Sequence, residues 1–289
     1  QRQMCIETVV EKSANLKLAA RRIVFGKYLN CGQTCVAPDY IYCDREIKDE
    51  LIRQIQKQIR KQFGSTPLNN KNYGKIINEK HFTRICNLID PSKVVCGGDN
   101  NPGALQIAPT VMDNVTFGDA VMQEEIFGPV LPVLAYDSLD EAIEKVNSMA
   151  HPLALYIFTS DKEAAEKVTS HCGFGGGCVN DTIIHLATSE MGFGGFGESG
   201  MGSYHGKDGF HTFSHYKSIV DKKTWLDLPM DTSHIEKFMK IIEEVPEIRT
   251  FSELIPLISS ADQLITNFLH PVIQLSTLGG TPVSYTHLT

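Results

Sequence analysis

Residues 27–39 of this chain read Lys27-Tyr-Leu-Asn-Cys-Gly-Gln-Thr-Cys35-Val-Ala-Pro-Asp39. Residues 14–29, which lead into this stretch, space their apolar side chains as an amphipathic helix does. Gly-Gln-Thr interrupts that pattern, so we expect Cys35 to lie in a turn between this helix and a strand predicted at 39–43. A thiol on such a turn can meet a small molecule, and its thiolate is a strong nucleophile.

The rest of the chain alternates strand patterns with helix patterns. Further strands are predicted at 94–95, 107–111, 130–136, 153–158 and 178–184, and further helices at 46–63, 79–90, 139–149 (capped by Ser138) and 161–171. Such alternation is typical of right-handed βαβ units. The sequence therefore predicts an α/β fold with a mostly parallel sheet flanked by helices, whose ligands bind beyond the carboxyl ends of the strands.

The composition is that of an ordinary globular protein. The 289 residues are 42% hydrophobic and carry a formal net charge of −7 without a basic stripe, which argues against a nucleic-acid partner. No run reaches the roughly 18 apolar residues of a membrane span. The eight cysteines are scattered along the chain and follow no secretory leader, so we expect reduced thiols in a cytoplasmic protein.

Two further motifs follow the Cys35 turn, and together the three resemble a known family. The second motif is Gln123-Glu-Glu-Ile-Phe-Gly-Pro129, and the third is Gly192-Phe-Gly-Gly-Phe-Gly-Glu-Ser-Gly-Met-Gly-Ser-Tyr-His-Gly206. In this order and at this spacing, they resemble the catalytic half of an NAD(P)-dependent aldehyde dehydrogenase. The Tyr-His-Gly ending is similar to the class 3 branch. The resemblance covers roughly residues 9–230 and implies the catalytic domain of the aldehyde dehydrogenase fold.

The resemblance assigns the nucleophile to Cys35. In the family, the cysteine after Gly-Gln-Thr attacks the aldehyde, and its backbone N–H helps to hold the oxyanion. Taken alone, Cys35 also fits a buried structural thiol, which is what most free cysteines are. Cys31 is a second thiol near the predicted site, at a place where the family usually has a small residue. The spacing of Cys31 and Cys35 suits two metal ligands, but no second pair completes a set, so no metal is expected.

The resemblance also implies that NAD or NADP binds at the second motif. A thiohemiacetal on cysteine must lose hydride, and cysteine cannot accept it, so a nicotinamide is required. In the family, the second glutamate of this motif holds the nicotinamide ribose and the phenylalanine packs beside it. Those roles fall on Glu125 and Phe127. The alternative is a solvated pair of glutamates followed by a core phenylalanine.

The third motif is expected to line the substrate site. The resemblance places Phe193 in the aldehyde pocket and His205 beside it, although His205 also fits an ordinary loop histidine. Asn180 is expected to anchor the loop beneath the site. Gly192-x-Gly-x-x-Gly197 matches the dinucleotide-binding pattern, but no helix is predicted at its third glycine, so we interpret it as a glycine-rich loop near the substrate.

The resemblance implies a division of the chain into four parts. Residues 1–8 are expected to form an atypical N-terminal stub, 9–210 the catalytic domain, 211–230 an oligomerisation strand and terminus, and 231–289 a chimeric or weakly ordered tail. A strand predicted at 213–220 is expected to join two copies into a homodimer. The family's general base and cofactor-domain motifs match nothing in the sequence, so a fragment with little turnover of its own is expected.

Two other functions remain open from the residues alone. A thiol esterase with Cys35 as nucleophile and His205 as base would cleave esters without a nicotinamide. A non-catalytic dimerisation module would use only the predicted strand at 213–220.

Overall fold

A seven-stranded sheet forms the core of the unit that ends at Phe213, in a computed structural model that describes residues 6–219. The strands are β1 (Ile6–Val10), β2 (Tyr40–Asp44), β3 (Val94–Cys96), β4 (Asn100–Asn101), β5 (Gln106–Ile107), β6 (Thr110–Met112), β7 (Val130–Tyr136), β8 (Ala154–Phe158) and β9 (Gly176–Val179). The sheet order is β3-β6-β7-β2-β1-β8-β9, and every neighbouring pair is parallel except β3 with β6. Strands β4 and β5 form a separate two-stranded ladder. The predicted α/β fold with a mostly parallel sheet is confirmed.

Helices cover both faces of this sheet. They are α1 (Leu16–Tyr28), α2 (Lys48–Phe63), α3 (Glu79–Asn87), α4 (Leu139–Asn147), α5 (Lys162–His171) and α6 (Gly206–Thr212). Successive strand side chains point to opposite faces, which divides the core in two. Ile41 and Tyr156 pack with α1 and α2 on one face, whereas Tyr42 and Leu155 pack with α3, α4 and α5 on the other. Five strands are buried along nearly their whole length because helices exclude water from both sides.

Side-chain caps fix where four of the helices begin, one of them Asn78 at α3, which accepts from the His81 N–H at 2.9 Å. Asn15 accepts a hydrogen bond from the Leu18 N–H at 3.1 Å and begins α1. Ser138 caps α4 as the sequence predicted, accepting from the Glu141 N–H at 3.2 Å. Asp161 does the same for α5. Among the helices described, none is long and apolar enough to cross a bilayer.

Strand β1 revises the predicted N-terminal boundary. Residues 6–8 were expected in a stub, but they lie in a buried strand paired with β2 on one side and β8 on the other. A strand buried on both faces shows no alternation of polar and apolar residues, and Glu7 further masks its apolar character. The boundary predicted between residues 8 and 9 therefore divides a central strand.

The predicted strands at 178–184 and 213–220 also differ from the structure. Strand β9 ends at Val179 because Asn180 adopts a left-handed backbone with φ 59°. Residues 206–212 form α6, whose two glycines weaken its helical signal, and the described residues 213–219 have no regular secondary structure. The boundary predicted at 210/211 falls inside α6. Residue 220, the tail at 231–289 and a helix predicted at 235–245 lie outside the described residues.

Candidate active site

The turn that carries Cys35 is built from left-handed residues and a glutamine anchor. After α1, Asn30, Cys31 and Gly32 have φ values of 50°, 56° and 74°, which reverse the chain at once. The Gln33 amide nitrogen donates to the carbonyls of Asn30 and Lys75, each at 3.0 Å, and its oxygen accepts from the Ile77 N–H at 2.9 Å. Cys35 follows and is half-buried, with a free thiol.

This turn touches the segment 123–129 backbone to backbone. A Cβ atom added to Gly32 would lie 2.3 Å from the carbonyl oxygen of Gly128, and one added to Gly128 would lie 2.6 Å from Ile85 Cδ1. Gly32 is therefore favoured both by this close approach and by its left-handed backbone, and Gly128 by the close approach of Ile85. The first two sequence motifs are thus in contact.

Glu125 and Phe127 lie on this segment, which is fastened to α3. The Arg84 guanidinium donates to the carbonyls of Glu125 at 3.2 Å and Ile126 at 2.7 Å. Phe127 keeps 40% of its surface exposed and has φ 45°, a strained backbone for a residue with a side chain. The segment therefore holds a half-buried carboxylate and presents an aromatic ring to the outside.

The thiol of Cys35 is mainly protonated at neutral pH in this environment. Burial raises the pKa of the Cys35 thiol, the Glu125 carboxylate raises it further, and a backbone N–H at Cys35 lowers it. A thiol of this kind needs a proton acceptor, or a substrate that binds beside it, before it reacts quickly.

Beneath the turn lies a buried ion pair that sequence reasoning missed. The Lys27 ammonium is fully buried, 3.4 Å from the Asp39 carbonyl oxygen and 3.9 Å from Asp39 Oδ1. The same Oδ1 accepts a hydrogen bond from the Ile126 N–H at 3.2 Å. A signal for this pair was present in the sequence, because Lys27 falls on the buried stripe of α1, four residues after Ile23.

Burial and mutual charge shift the pKa values of three groups around this pair. Burial lowers the pKa of Lys27 to about 8, against the opposing effect of Asp39 and Glu125. Burial raises the pKa of Asp39 to about 6, and Lys27, the Ile126 N–H and Arg84 oppose the rise. Burial, with a contribution from Asp39, raises the pKa of Glu125 to about 7, while Lys27 and Arg84 lower it.

A cavity of about 760 Å³ opens beside the turn that carries Cys35, between α1, α2 and the loop after β9, although its lining does not include Cys35 itself. Thr34 and Val36, the two neighbours of Cys35, contribute to its wall. The remaining apolar lining consists of Phe25, Leu29, Ile183, Ile184, Leu186 and Ala187, and the polar lining of Arg21, Arg22, Gln58, Lys61, Gln62, Asp181 and Thr182. A mainly apolar cleft of this size suits an aliphatic or aromatic group.

Asn180 fastens the loop that forms one wall of the cavity. Its amide accepts from the Thr159 N–H at 2.9 Å and donates to the Thr159 carbonyl at 2.8 Å, which ties the end of β9 to the end of β8. Arg22 donates to the Asn180 carbonyl and pairs with Asp181 at 3.3 Å. This geometry supports the predicted role of Asn180 as a loop anchor.

The third motif lies in a glycine-rich loop. Phe193 pairs with Tyr204 through two backbone hydrogen bonds of 2.7 and 2.9 Å, and its ring stacks on His205 at 5.8 Å. A single 3-10 turn, Gly197–Ser199, begins at the third glycine, in place of the helix that a dinucleotide fingerprint requires. The cavity lining includes neither Phe193 nor His205, so their predicted contact with substrate stays a prediction.

In the described residues, no hydrogen bond links a histidine to Cys35. His185 is buried and lies 3.5 Å from the sulfur of Cys178, and His205 stacks on Phe193. The thiol-esterase hypothesis therefore lacks the hydrogen bond from Cys35 to His205 that it requires.

Residues 7–219 match the family model described as the aldehyde dehydrogenase family, and the chain belongs to this family. The match begins inside β1, so it includes residues that the sequence had assigned to a stub. The 4,4'-diaponeurosporen-aldehyde dehydrogenase of Staphylococcus aureus is 47% identical over 221 residues, covering 76% of this chain and 48% of that protein. The dimeric NADP-preferring aldehyde dehydrogenase of Mus musculus is 46% identical over 211 residues, covering 73% of this chain and 47% of that protein.

The likeness to the class 3 branch is confirmed by a further relative. Aldehyde dehydrogenase family 3 member A2 of Rattus norvegicus is 41% identical over 213 residues, which are 74% of this chain and 44% of that protein. The chain thus spans about half the length of these three relatives.

Solved structures agree with the family assignment. The substrate-bound state of Staphylococcus aureus AldH has a TM-score of 0.77 and 42% identity, covering 84% of this chain and 54% of that one. The aldehyde dehydrogenase of Mycobacterium tuberculosis complexed with NAD+ has a TM-score of 0.68 and 27% identity, covering 78% and 48% respectively.

Proposed function

We propose that this chain forms the catalytic part of an NAD(P)-dependent aldehyde dehydrogenase that converts an aldehyde to a carboxylate. The observation that carries the proposal is the position of Cys35. Its turn lies between an apolar cavity, to which both its neighbours contribute, and the segment that holds Glu125 and Phe127. A nucleophile between a substrate pocket and a ring-binding segment suits this chemistry.

The residues of the chain divide the work as follows. The Cys35 thiol passes its proton to water, its sulfur adds to the aldehyde carbon, and the Cys35 backbone N–H donates to the oxyanion of the thiohemiacetal. A bound NAD(P)+ supplies the acceptor for the hydride that the thiohemiacetal loses. Water then cleaves the Cys35 thioester and releases the carboxylic acid. Family membership and the names of the relatives support this sequence of steps.

Glu125 and Phe127 fit a nicotinamide riboside in chemical type. A half-buried carboxylate can accept hydrogen bonds from two ribose hydroxyls, and the exposed Phe127 ring offers a flat apolar surface. Relatives are named NADP-preferring, and one structural neighbour is an NAD+ complex, so we propose NAD or NADP without choosing between them.

The substrate that we propose is an aldehyde with an apolar chain or ring. Phe25, Leu29 and Ile184 line the cavity and are 54%, 44% and 55% exposed, so a bound apolar group would cover them. In a longer protein that joins this chain to the remaining half of such a relative, replacing Phe25 by aspartate should raise the KM for hexanal far more than the KM for acetaldehyde. Equal changes for both aldehydes would contradict an apolar pocket at this place.

We also propose a homodimer in the cytoplasm. The name of the mouse relative includes the word dimeric, and all the cysteines in the described part of the chain are free, as expected in a reducing compartment. Light scattering on the purified protein measures the assembly, and a monomer at micromolar concentration would exclude the homodimer.

Turnover is the experiment that tests the proposed activity. We expect the 289 residues alone to form little or no NADH from hexanal, since they span about half the length of the relatives. A longer protein that joins them to the remaining half of such a relative should form NADH, and Cys35→Ala should abolish it. Turnover that persists in that variant would remove Cys35 from the mechanism.

A further inference from the structure

Three elements meet at the side chain of Asp39, just below the Cys35 turn. Its carbonyl and carboxylate face the ammonium of Lys27 at the end of α1, and its Oδ1 accepts from the Ile126 N–H. Asp39 itself stands directly before β2 and is 5% exposed. One carboxylate therefore joins the helix before the nucleophile, the strand after it, and the segment that carries Glu125.

The fastening is specific to the segment 124–127. Arg84 holds the carbonyls of Glu125 and Ile126 from the α3 side, and Asp39 holds the N–H between them from the sheet side. Arg84 also pairs with Glu124 at 3.4 Å. Because both partners bind backbone atoms, the Glu125 side chain stays available to a ligand while its position is fixed.

The two cations that act on Glu125, Arg84 and Lys27, differ in their other partners. Asp39 and the Cys35 thiol are acidic neighbours, and Lys27 and Arg84 are the cations that act on it. Arg84 is already engaged by Glu124 and by two carbonyls, whereas Lys27 is fully buried and acts on Asp39 and Glu125 alike. A buried cation that pairs with one carboxylate and acts on a second favours the ionised form of both.

We propose that Lys27 and Asp39 are positioning residues that act through Glu125. Asp39 fastens the Glu125 segment to the strand that follows the Cys35 turn, and the buried Lys27 ammonium, which pairs with Asp39 at 3.9 Å, favours the ionised form of Glu125. The inference deepens the proposed function and rests on it, since it assigns these residues to the same site. Its test needs neither aldehyde nor cofactor, so the two can fail separately.

The charge part is tested by the pH dependence of Cys35 alkylation with iodoacetamide, followed by mass spectrometry of the Cys35 peptide. Ionised Glu125 raises the pKa of the thiol, so the logarithm of the rate should show a shoulder near pH 7, where Glu125 titrates. Glu125→Gln should remove the shoulder. A profile that is the same in Glu125→Gln and in the wild type would overturn the inference.

Substitutions of the two positioning residues should shift the pH of this shoulder in opposite directions. Lys27→Met removes the cation that acts on both carboxylates, so they keep their protons to a higher pH. The shoulder should therefore move to a pH about one unit higher. Asp39→Asn retains an acceptor for the Ile126 N–H but removes a negative charge, so the shoulder should fall by a similar amount. Lys48→Met, which breaks the remote pair with Asp113, is the matched control and should leave it unchanged.

A purely structural role would not give opposite shifts. If Lys27→Met does not fold, Asp39→Asn alone tests the role of charge. A shoulder at the wild-type pH or at a higher pH in that variant overturns this part of the proposal.

The role of Asp39 in holding the Glu125 segment is tested by amide hydrogen exchange at Ile126. Exchange should be at least about tenfold faster in Asp39→Ala and near wild type in Asp39→Asn, with the Thr159 amide unchanged in both. Equal exchange at Ile126 in Asp39→Ala and in the wild type overturns it.

Discussion

The sheet and the Cys35 turn above it are built in contrasting ways. In the sheet, regular strands bury apolar side chains between two layers of helices. In the turn, three successive residues are left-handed, a buried lysine faces a buried aspartate, and two glycines touch. Apart from Glu7 in β1, departures from local structural rules are concentrated in the turn, where chemistry is proposed, as is usual for functional sites.

The largest expected effect comes from the sheet and should affect stability alone. Ile157→Ala removes three carbons from a side chain in β8 that is 1% exposed, so the free energy of unfolding should fall by about 3 kcal/mol. Chemical denaturation measures the loss. The alkylation rate of Cys35 in the folded variant should stay at the wild-type value, and a large change in that rate would mean that the two regions are coupled.

Gly32→Ala changes the turn and leaves the sheet unchanged. The added methyl group would meet the Gly128 carbonyl at 2.3 Å on a backbone with φ 74°, so we expect a loss of about 2–3 kcal/mol together with altered Cys35 reactivity. Gly202→Ala is the control, because Gly202 has φ 72° and nothing lies within 4 Å of its Cβ position. If both variants lose the same stability, the contact between the two motifs does not matter.

Asn180 offers a way to separate hydrogen bonding from backbone strain. Asn180→Gly loses two bonds to Thr159 but tolerates φ 59°, so it should cost about 1–2 kcal/mol of unfolding free energy. Asn180→Ala loses the same bonds and adds the left-handed penalty, which should cost roughly 1 kcal/mol more. Thermal unfolding of both variants measures the difference. Identical stabilities would show that the backbone at 180 relaxes freely.

The smallest expected effect concerns Glu7, a carboxyl group within the apolar sheet. It is 1% exposed, its Oε2 lacks a hydrogen-bond partner within the described residues, and burial holds its pKa well above the ordinary value. The folded state therefore binds the proton more tightly than the unfolded state. Proton binding at Glu7 therefore stabilises the folded state fully below the pKa of the unfolded chain, near 4.5. This stabilisation is lost as the pH rises through the pKa of Glu7 in the folded state.

Glu7→Gln should consequently be more stable than the wild type at pH 7, by about 1–2 kcal/mol, with the gain vanishing below pH 4.5. Urea denaturation at several pH values measures this. A gain that is constant with pH would mean that ionisation of Glu7 is not the cause.

Much of the fold follows from local sequence signals, and the misses have physical causes. Ser138 capped a helix as predicted, and the period-3.6 pattern located α1 and α2 within about two residues. Strand β1 was missed because a doubly buried strand has no alternation. The end of β9 was missed because the left-handed backbone of Asn180 is decided by its bonds to Thr159, far away in the sequence.

Some residues of the candidate site were predicted from the sequence, and others were found only in the fold. Cys35, Glu125 and Phe127 stood out because they lie in dense motifs, and the contact of Gly32 with Gly128 brings those motifs together. Lys27 and Asp39 stand in the first motif as well, but only the fold makes them neighbours. A helix periodicity that places a lysine on a buried stripe was the one local sign of a buried charge.

If Cys35 adds to aldehydes that enter the apolar cavity beside its turn, an aldehyde should protect its thiol from alkylation. The chain is treated with iodoacetamide in the presence of hexanal or hexanol, and the alkylation of Cys35 and Cys86, both half-buried free thiols, is measured by mass spectrometry. We expect hexanal to lower the alkylation rate of Cys35 by a factor at least about tenfold larger than the factor for Cys86. Hexanol should not produce this difference. Equal protection of the two thiols by hexanal would contradict this expectation.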